Sequence, residues 1–148
     1  MIPLYEALFN KYKNKFLIHE HRADKVGLHY DIRIEHKGKL ESWACRYAPE
    51  LIKGTKKKIL IILQPAHDLD WFDWEGEIKD GYGKGKVKIW DKGSVKKIKW
   101  DDNHKTIEFT GTKIKGIYHI IRYTGGKKTQ FLMFKAKEQI LVFNLSTV

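Results

Sequence analysis

Three residues able to do chemistry alternate along one short apolar segment: His29, Asp31 and Arg33 in His29-Tyr30-Asp31-Ile32-Arg33. In an extended chain, residues two apart share a face. An imidazole, a carboxylate and a guanidinium therefore follow one another at about 7 Å per step, while Tyr30, Ile32 and Ile34 turn the other way, toward a core. The polar row is expected to line a groove or a barrel mouth. An imidazole and a carboxylate together suit Mn, Fe or Zn better than Ca or Mg, and a guanidinium offers a planar fork for phosphate. A third ligand would complete a site that keeps positions open. His21 or His19, on a preceding strand folding back through residues 22–27, can supply it, and His21 needs the shorter hairpin. His67, in Pro65-Ala66-His67-Asp68, stands where a strand gives way to a loop and is a candidate general acid at neutral pH. A histidine and an aspartate two apart can also form a plain surface ion pair; the clean alternation and the adjacent Arg33 favour a site.

The elements that must position these groups are mostly strands. Residues 3–13 place a proline near a helix start and space Leu4, Ala7 and Leu8 at three and four, predicting one short amphipathic helix. Beyond it the period is two, over residues 16–20, 28–35, 40–47, 58–63, 86–90, 95–100, 106–110, 114–123 and 130–135. Turn residues separate these runs at Lys37-Gly38, Gly81-Tyr82-Gly83, Lys92-Gly93, Asp101-Asp102-Asn103 and Gly125-Gly126. Short connections make neighbours antiparallel, and so many short strands in one small unit are best closed on themselves, which removes aggregation-prone edges. The expected class is mostly β: a closed antiparallel β-barrel with one short N-terminal helix, residues 1–148 forming a single domain.

The 29 Lys and Arg against 18 Asp and Glu give a net charge of +11, which favours a polyanionic partner, nucleic acid before an anionic membrane. The run 53–58 is the one strong cluster of lysines, readable as a solvated loop or as a tracker of phosphates. Cys45 is the single cysteine, so an internal disulfide and a cysteine-only zinc site are excluded, and a reducing, cytoplasmic location is expected. No apolar run approaches a membrane span. His36, His104 and His119 read as structural. The stretch Gly81 to Gly85 reads as a hairpin or bulge, because a strand follows where a phosphate cradle needs a helix N-terminus.

Longer blocks surround the chemical residues: Phe16-Leu17-Ile18 before a histidine, His29-Tyr30-Asp31-Ile32-Arg33-Ile34-Glu35, Ser42-Trp43-Ala44 and His67-Asp68-Leu69-Asp70. They continue through Glu75-Gly76, Gly81-Tyr82-Gly83-Lys84-Gly85, Val87-Lys88-Ile89-Trp90-Asp91-Lys92-Gly93 and Phe131-Leu132-Met133-Phe134-Lys135. In this order the blocks resemble the 3′-phosphoesterase domain of bacterial DNA ligase D and its stand-alone relatives. The resemblance implies a β-barrel enzyme with a manganese-type ion, Zn²⁺ or Co²⁺ being alternatives. Such an enzyme removes a 3′-terminal ribonucleoside and then a 3′-phosphate from DNA or RNA primer ends, leaving a 3′-hydroxyl for DNA repair. It implies His21, His29 and Asp31 as metal ligands, Arg33 as the phosphate-binding arginine and His67 as the catalytic histidine. Implied partners are nucleic-acid 3′ ends, with a DNA ligase and polymerase acting in trans; a monomer is expected.

The chain departs from the family pattern at several places. Seven residues separate His21 from His29 where five are common, and Tyr47 stands where the family has a functional lysine, leaving neighbouring Arg46 as substitute. Trp71 replaces a tyrosine, and Lys58 is the nearest match to a basic substrate-binding residue expected ahead of the His67 strand. The N-terminal arm is short and lacks the family's acidic and Arg-Asp positions. Two other functions fit parts of the pattern. One is a non-catalytic nucleic-acid-binding domain with a vestigial metal site. The other is an iron- and 2-oxoglutarate-dependent oxygenase, which would recruit His119 and Arg122 to a two-histidine, one-carboxylate triad.

Overall fold

The computed structural model describes residues 4–49 and 57–137. Among these residues, one helix, α1 (Leu4–Tyr12), precedes nine strands: β1 (Lys15–Ala23), β2 (Gly27–His36), β3 (Lys39–Cys45), β4 (Ile59–His67), β5 (Gly76–Ile78), β6 (Gly85–Trp100), β7 (His104–Gly111), β8 (Lys115–Arg122) and β9 (Gln130–Lys135). Eight of them close an antiparallel barrel in the order β1-β2-β3-β4-β9-β8-β7-β6, with β6 returning to β1, and β5 adds to the free edge of β6. The expected class is thus the observed one.

Alternation sorts the side chains into two cores. Phe16 and Ile18 of β1, Ile32 and Ile34 of β2, Trp43, Ile61, Ile107, Ile120 and Met133 fill the barrel interior. Leu17 and Leu40 point to the outer wall, where they pack with Tyr12 of α1 and with Leu69 and Phe72 of the β4–β5 connection. That connection contains a 3-10 turn at Leu69–Trp71 and lies over the outer face of β1 to β3. The helix is held by its last turn: Tyr12 stacks on Phe72 at 4.3 Å and donates its hydroxyl proton to Asp73 at 3.0 Å. Leu8, Phe9 and Tyr12 form the packed stripe, whereas Leu4 and Ala7, expected to contribute, are exposed. The aromatic ring to be covered lies at the C-terminal end of α1, and that end decides which stripe is used.

Two expectations about elements are corrected. The runs 86–90 and 95–100 are one strand, and Lys92-Gly93 is no turn. Gly93 sits between Phe16 of β1 and Gly111 of β7, where a Cβ would overlap the Thr110 carbonyl oxygen. Glycine is required there by close backbone approach. Asp91, beside it, accepts from the backbone amides of Thr112, Lys113 and Ile114 at 2.8–3.0 Å, pinning the β7–β8 turn against β6. The three-residue β5 is absent from the expected strands, being too short to show a period. Of the lysine run, residues 53–56 lie outside the described residues.

Candidate active site

The polar row of β2 lies on the outer wall of the barrel, in a groove under the β4–β5 connection. Cross-strand register assembles it: His21 faces His29, His19 faces Asp31 and Leu17 faces Arg33, all on one side of the β1–β2 hairpin. The seven-residue spacing does not disturb this. Adding two residues to a hairpin lengthens each strand by one and leaves facing pairs facing.

His21, His29 and Asp31 present three donor atoms within 4.8 Å of one another, the one such group of histidines and acidic residues among the described residues. His29 Nε2 is 3.4 Å and His21 Nδ1 3.7 Å from the same Asp31 oxygen, Oδ2. The opposite nitrogens fix the tautomers. His21 Nε2 is 2.6 Å from the Gly83 carbonyl and His29 Nδ1 is 3.3 Å from the Gly27 carbonyl. A carbonyl oxygen can only accept, so these nitrogens carry the hydrogens, and in each neutral ring a lone pair is directed at Asp31. Two lone pairs and a carboxylate converging on one point form a donor set that fits a divalent transition ion. Burial alone would raise the Asp31 pKa; the contacts with His21 and His29 and the charge of Arg33 outweigh it and hold the carboxyl below the usual carboxylate range. The contact with Asp31 raises His29, so a proton and a metal ion compete for its lone pair.

Arg33 is buried beside this group. Its Nε donates to His19 Nδ1 at 2.9 Å, Nη1 to Ser42 Oγ at 2.9 Å and Nη2 reaches Asp31 Oδ2 at 3.5 Å. Burial lowers its pKa and Asp31 opposes the shift; a guanidinium remains a cation throughout. Its Cζ lies 5.8 Å from the centre of the Trp71 ring. Among the described residues, five donors less three engaged leave one N–H on each terminal nitrogen. His19, fully buried, is no member of the metal group: its Nε2 donates to the Trp74 carbonyl at 2.8 Å, and burial followed by the charge of Arg33 pushes its pKa down to about 4. Of the two candidates, His21 lies in the cluster with His29 and Asp31, and His19 lies against the arginine.

His67 ends β4 and its ring centroid lies 4.7 Å from that of Trp71. Burial, then the charge of Arg33, lower its pKa, so near pH 7 the ring is neutral and offers an N–H donor rather than an imidazolium. A bound phosphate anion would push the other way. His21, His29, Asp31, Arg33 and His67 open into one cavity of about 1030 Å³, which Arg46 and Lys58 also line. Both basic residues are exposed, and Lys58 Nζ lies 4.9 Å over the Phe134 ring. All seven residues singled out from the sequence therefore line the same cavity. Trp71 takes a packing place between His67 and Arg33, which an indole without a phenolic group can fill. His119 is not brought in. It contacts His104 at 3.1 Å on the outer wall of β7 and β8, with β6 and β7 standing between its strand and β1.

What the sequence did not disclose is the support. The carbonyls of Gly83 and Gly27, the hydroxyl of Ser42 and the imidazole of His19 orient the chemical groups. The one legible signal was the glycine-rich stretch itself: Gly83 brings its backbone against His21, where a Cβ would stand 3.4 Å from Cε1.

Comparison with known proteins places this geometry. The family model of the DNA Ligase D 3'-phosphoesterase domain matches residues 19–122. The chain is 35% identical over 133 residues to the multifunctional non-homologous end joining protein LigD of Pseudomonas aeruginosa, covering 84% of this chain and 15% of that protein. The multifunctional non-homologous end joining DNA repair protein LigD of Mycobacterium tuberculosis is 36% identical over 131 residues, covering 85% of this chain and 17% of that protein. The chain thus spans about a sixth of the length of these relatives. A match over residues 19–122 takes in the β1–β2 hairpin, the β4 histidine and the glycine-rich stretch together, and the chain belongs to the DNA ligase D 3′-phosphoesterase domain family.

Proposed function

We propose that this protein is a metal-dependent phosphoesterase that heals nucleic-acid 3′ ends for DNA repair, removing a terminal ribonucleoside and then a 3′-phosphate to leave a 3′-hydroxyl. The observation that carries the reading is the convergence of two tautomer-fixed imidazoles and one carboxylate beside an arginine with two N–H groups left over among the described residues. A divalent ion, manganese in this reading with zinc or cobalt as alternatives, would be held by His21, His29 and Asp31 and would supply Lewis acidity toward a phosphate oxygen.

The protein's own groups do the rest. Gly83 and Gly27 keep the imidazole lone pairs inward, so the site needs little reorganisation. Arg33 takes two phosphate oxygens and offsets the negative charge that accumulates on them. Water forms the new bond to phosphorus as the bond to the leaving oxygen breaks, and His67, neutral in the free protein, takes up a proton from solvent when the anion binds and gives it to that oxygen. Arg46 and Lys58 in the cavity lining attract the phosphates of the adjoining strand, in keeping with the net charge of +11. The relatives carry end joining in their names; for this chain we propose DNA ends as the substrate, a ligase and a polymerase acting in trans, a monomeric state and a cytoplasmic location. No helix among the described residues is long and apolar enough to cross a membrane.

The test is a digest of two primer-templates, one ending in a single ribonucleotide and one in a 3′-phosphate, with and without Mn²⁺. Metal-dependent loss of the ribonucleoside, then of the phosphate, is expected. Binding of both primers without turnover under any of Mn²⁺, Zn²⁺ or Co²⁺ would overturn the enzyme in favour of a binding module.

A further inference from the structure

Among the described residues, His19 is the one fully buried imidazole at the site that faces neither the metal group nor open cavity. Its two nitrogens are both committed, and in opposite senses. The Trp74 carbonyl can only accept, so Nε2 carries the hydrogen; the Arg33 guanidinium can only donate, so Nδ1 is the acceptor. One rigid ring therefore joins the barrel wall, through Arg33, to the overlying 68–75 segment, through Trp74. That segment also carries Trp71, whose ring centre lies 5.8 Å from the guanidinium carbon of Arg33 and 4.7 Å from the ring centre of His67. Without an acceptor at this point the buried Arg33 Nε–H has no partner, and the side chain is free to swing about its remaining contacts to Ser42 and Asp31.

We propose that His19 is a positioning residue for phosphate recognition: it locks Arg33 so that the guanidinium's two remaining N–H groups are held ready for the phosphate of a 3′ end. The proposal rests on the phosphoesterase reading for its consequence, though not for its geometry. Orientation comes from one acceptor and one donor set on opposite sides of a side chain. A glutamine, with its amide oxygen and NH₂, reproduces that arrangement, and a leucine of comparable bulk does not.

The geometry is tested first, by NMR on the wild-type protein without manganese. A coupling across the hydrogen bond from Arg33 Nε–H to His19 Nδ1, with slow solvent exchange of that proton, is expected; a rapidly exchanging Nε–H without the coupling would overturn the proposal. Function is tested by comparing wild type, His19→Gln and His19→Leu on the 3′-phosphate primer. Leaving a buried charged donor unpaired predicts a KM about 10- to 100-fold higher for His19→Leu. His19→Gln should stay within about threefold of wild type and Mn²⁺ affinity should stay within about twofold in both, since neither change removes a metal-group atom. Equal KM in wild type and His19→Leu, or a glutamine variant as impaired as the leucine one, would overturn the role. Should His19→Leu fail to fold, the wild-type coupling and the His19→Gln kinetics decide. A wild-type protein inactive on both primers would refute the enzyme reading, while the NMR result would still decide the clamp.

Discussion

Replacing Asp31 by asparagine keeps the shape of the side chain and removes its charge, which bears on two quantities that can be measured separately. In wild type, one carboxylate oxygen lies 3.4 Å from His29, 3.7 Å from His21 and 3.5 Å from the guanidinium of Arg33, in a side chain only 9% exposed. The amide leaves Arg33 as a buried cation with neutral neighbours, and breaking a buried pair from one side costs about 3–5 kcal/mol. Ser42 and His19 still bind the arginine, so the lower end, about 3 kcal/mol, applies. For 148 residues the unfolding entropy is about 0.3 kcal/mol/K, which converts that loss into a melting temperature about 10 °C lower in metal-free protein. Metal affinity responds through a different route. The Asp31→Asn variant loses the anionic ligand, and its amide can turn a hydrogen toward the imidazole lone pairs. Loss of an outer partner alone weakens a site roughly 10- to 100-fold, so losing a direct ligand should cost about 100-fold or more in Mn²⁺ affinity. Thermal melts with and without Mn²⁺, together with a Mn²⁺ titration followed by electron paramagnetic resonance, measure both. A variant that melts within about 2 °C of wild type would refute the charge balance (about 0.6 kcal/mol on the same scale), and unchanged Mn²⁺ affinity would refute the assignment of the metal group.

His67→Ala should lower turnover on the 3′-phosphate primer by about 10²- to 10⁴-fold and leave Mn²⁺ affinity unaltered, because His67 is no part of the metal group; a parallel loss of metal would contradict that separation. The same residue predicts a pH effect on stability. Its folded pKa is lowered from an unfolded value of about 6.5, so its contribution is complete above that value and is lost as pH falls through the folded pKa. The urea midpoint of His67→Gln should accordingly fall less than that of wild type between about pH 7.5 and pH 5. Asp91→Ala strips the acceptor from three backbone amides of the β7–β8 turn, besides that of Lys92, and should destabilise by about 3 kcal/mol, read in urea; a change below about 1 kcal/mol would mean the β7–β8 turn holds itself. Burial, with the charge of Asp31 adding to it, pushes the Cys45 thiol up to about 12. At pH 8 only about one thiol in 10⁴ is ionised, so iodoacetamide labelling should require denaturant, and rapid native labelling would refute the burial.

Much of this molecule was legible in its sequence because alternation is a local property. In a strand the side-chain period is two, so Ile32 and Ile34 had to oppose Asp31 and Arg33 wherever the strand lay. The turn residues made the neighbours antiparallel, and the charge of +11 pointed to a polyanionic partner. The resemblance to a known family then implied the same expected roles for His21 and His67 that strand spacing and the strand-end position had suggested. Local pattern failed where a residue answers to something distant in sequence. Lys92-Gly93 reads as a turn yet lies inside β6, because β1 and β7 both approach the chain there.

Which wall of the barrel bears the site, and what covers it, was decided by tertiary structure. The polar row could have lined a barrel mouth; it lies outside because the interior is filled by the apolar alternates and the β4–β5 connection folds over the outer face. The tautomers of His21 and His29 depend on carbonyls from Gly83 and Gly27, of which Gly83 is 62 residues from its imidazole. His19, two positions from His21 on the same strand, meets Arg33 instead, through cross-strand register and a carbonyl 55 residues away. Sequence determined which chemical groups are present and which face each takes. Hydrogen-bond partners, remote for His19 and His21 and local for His29, determined the orientation of each ring, because an imidazole's donor and acceptor are assigned by whatever it meets.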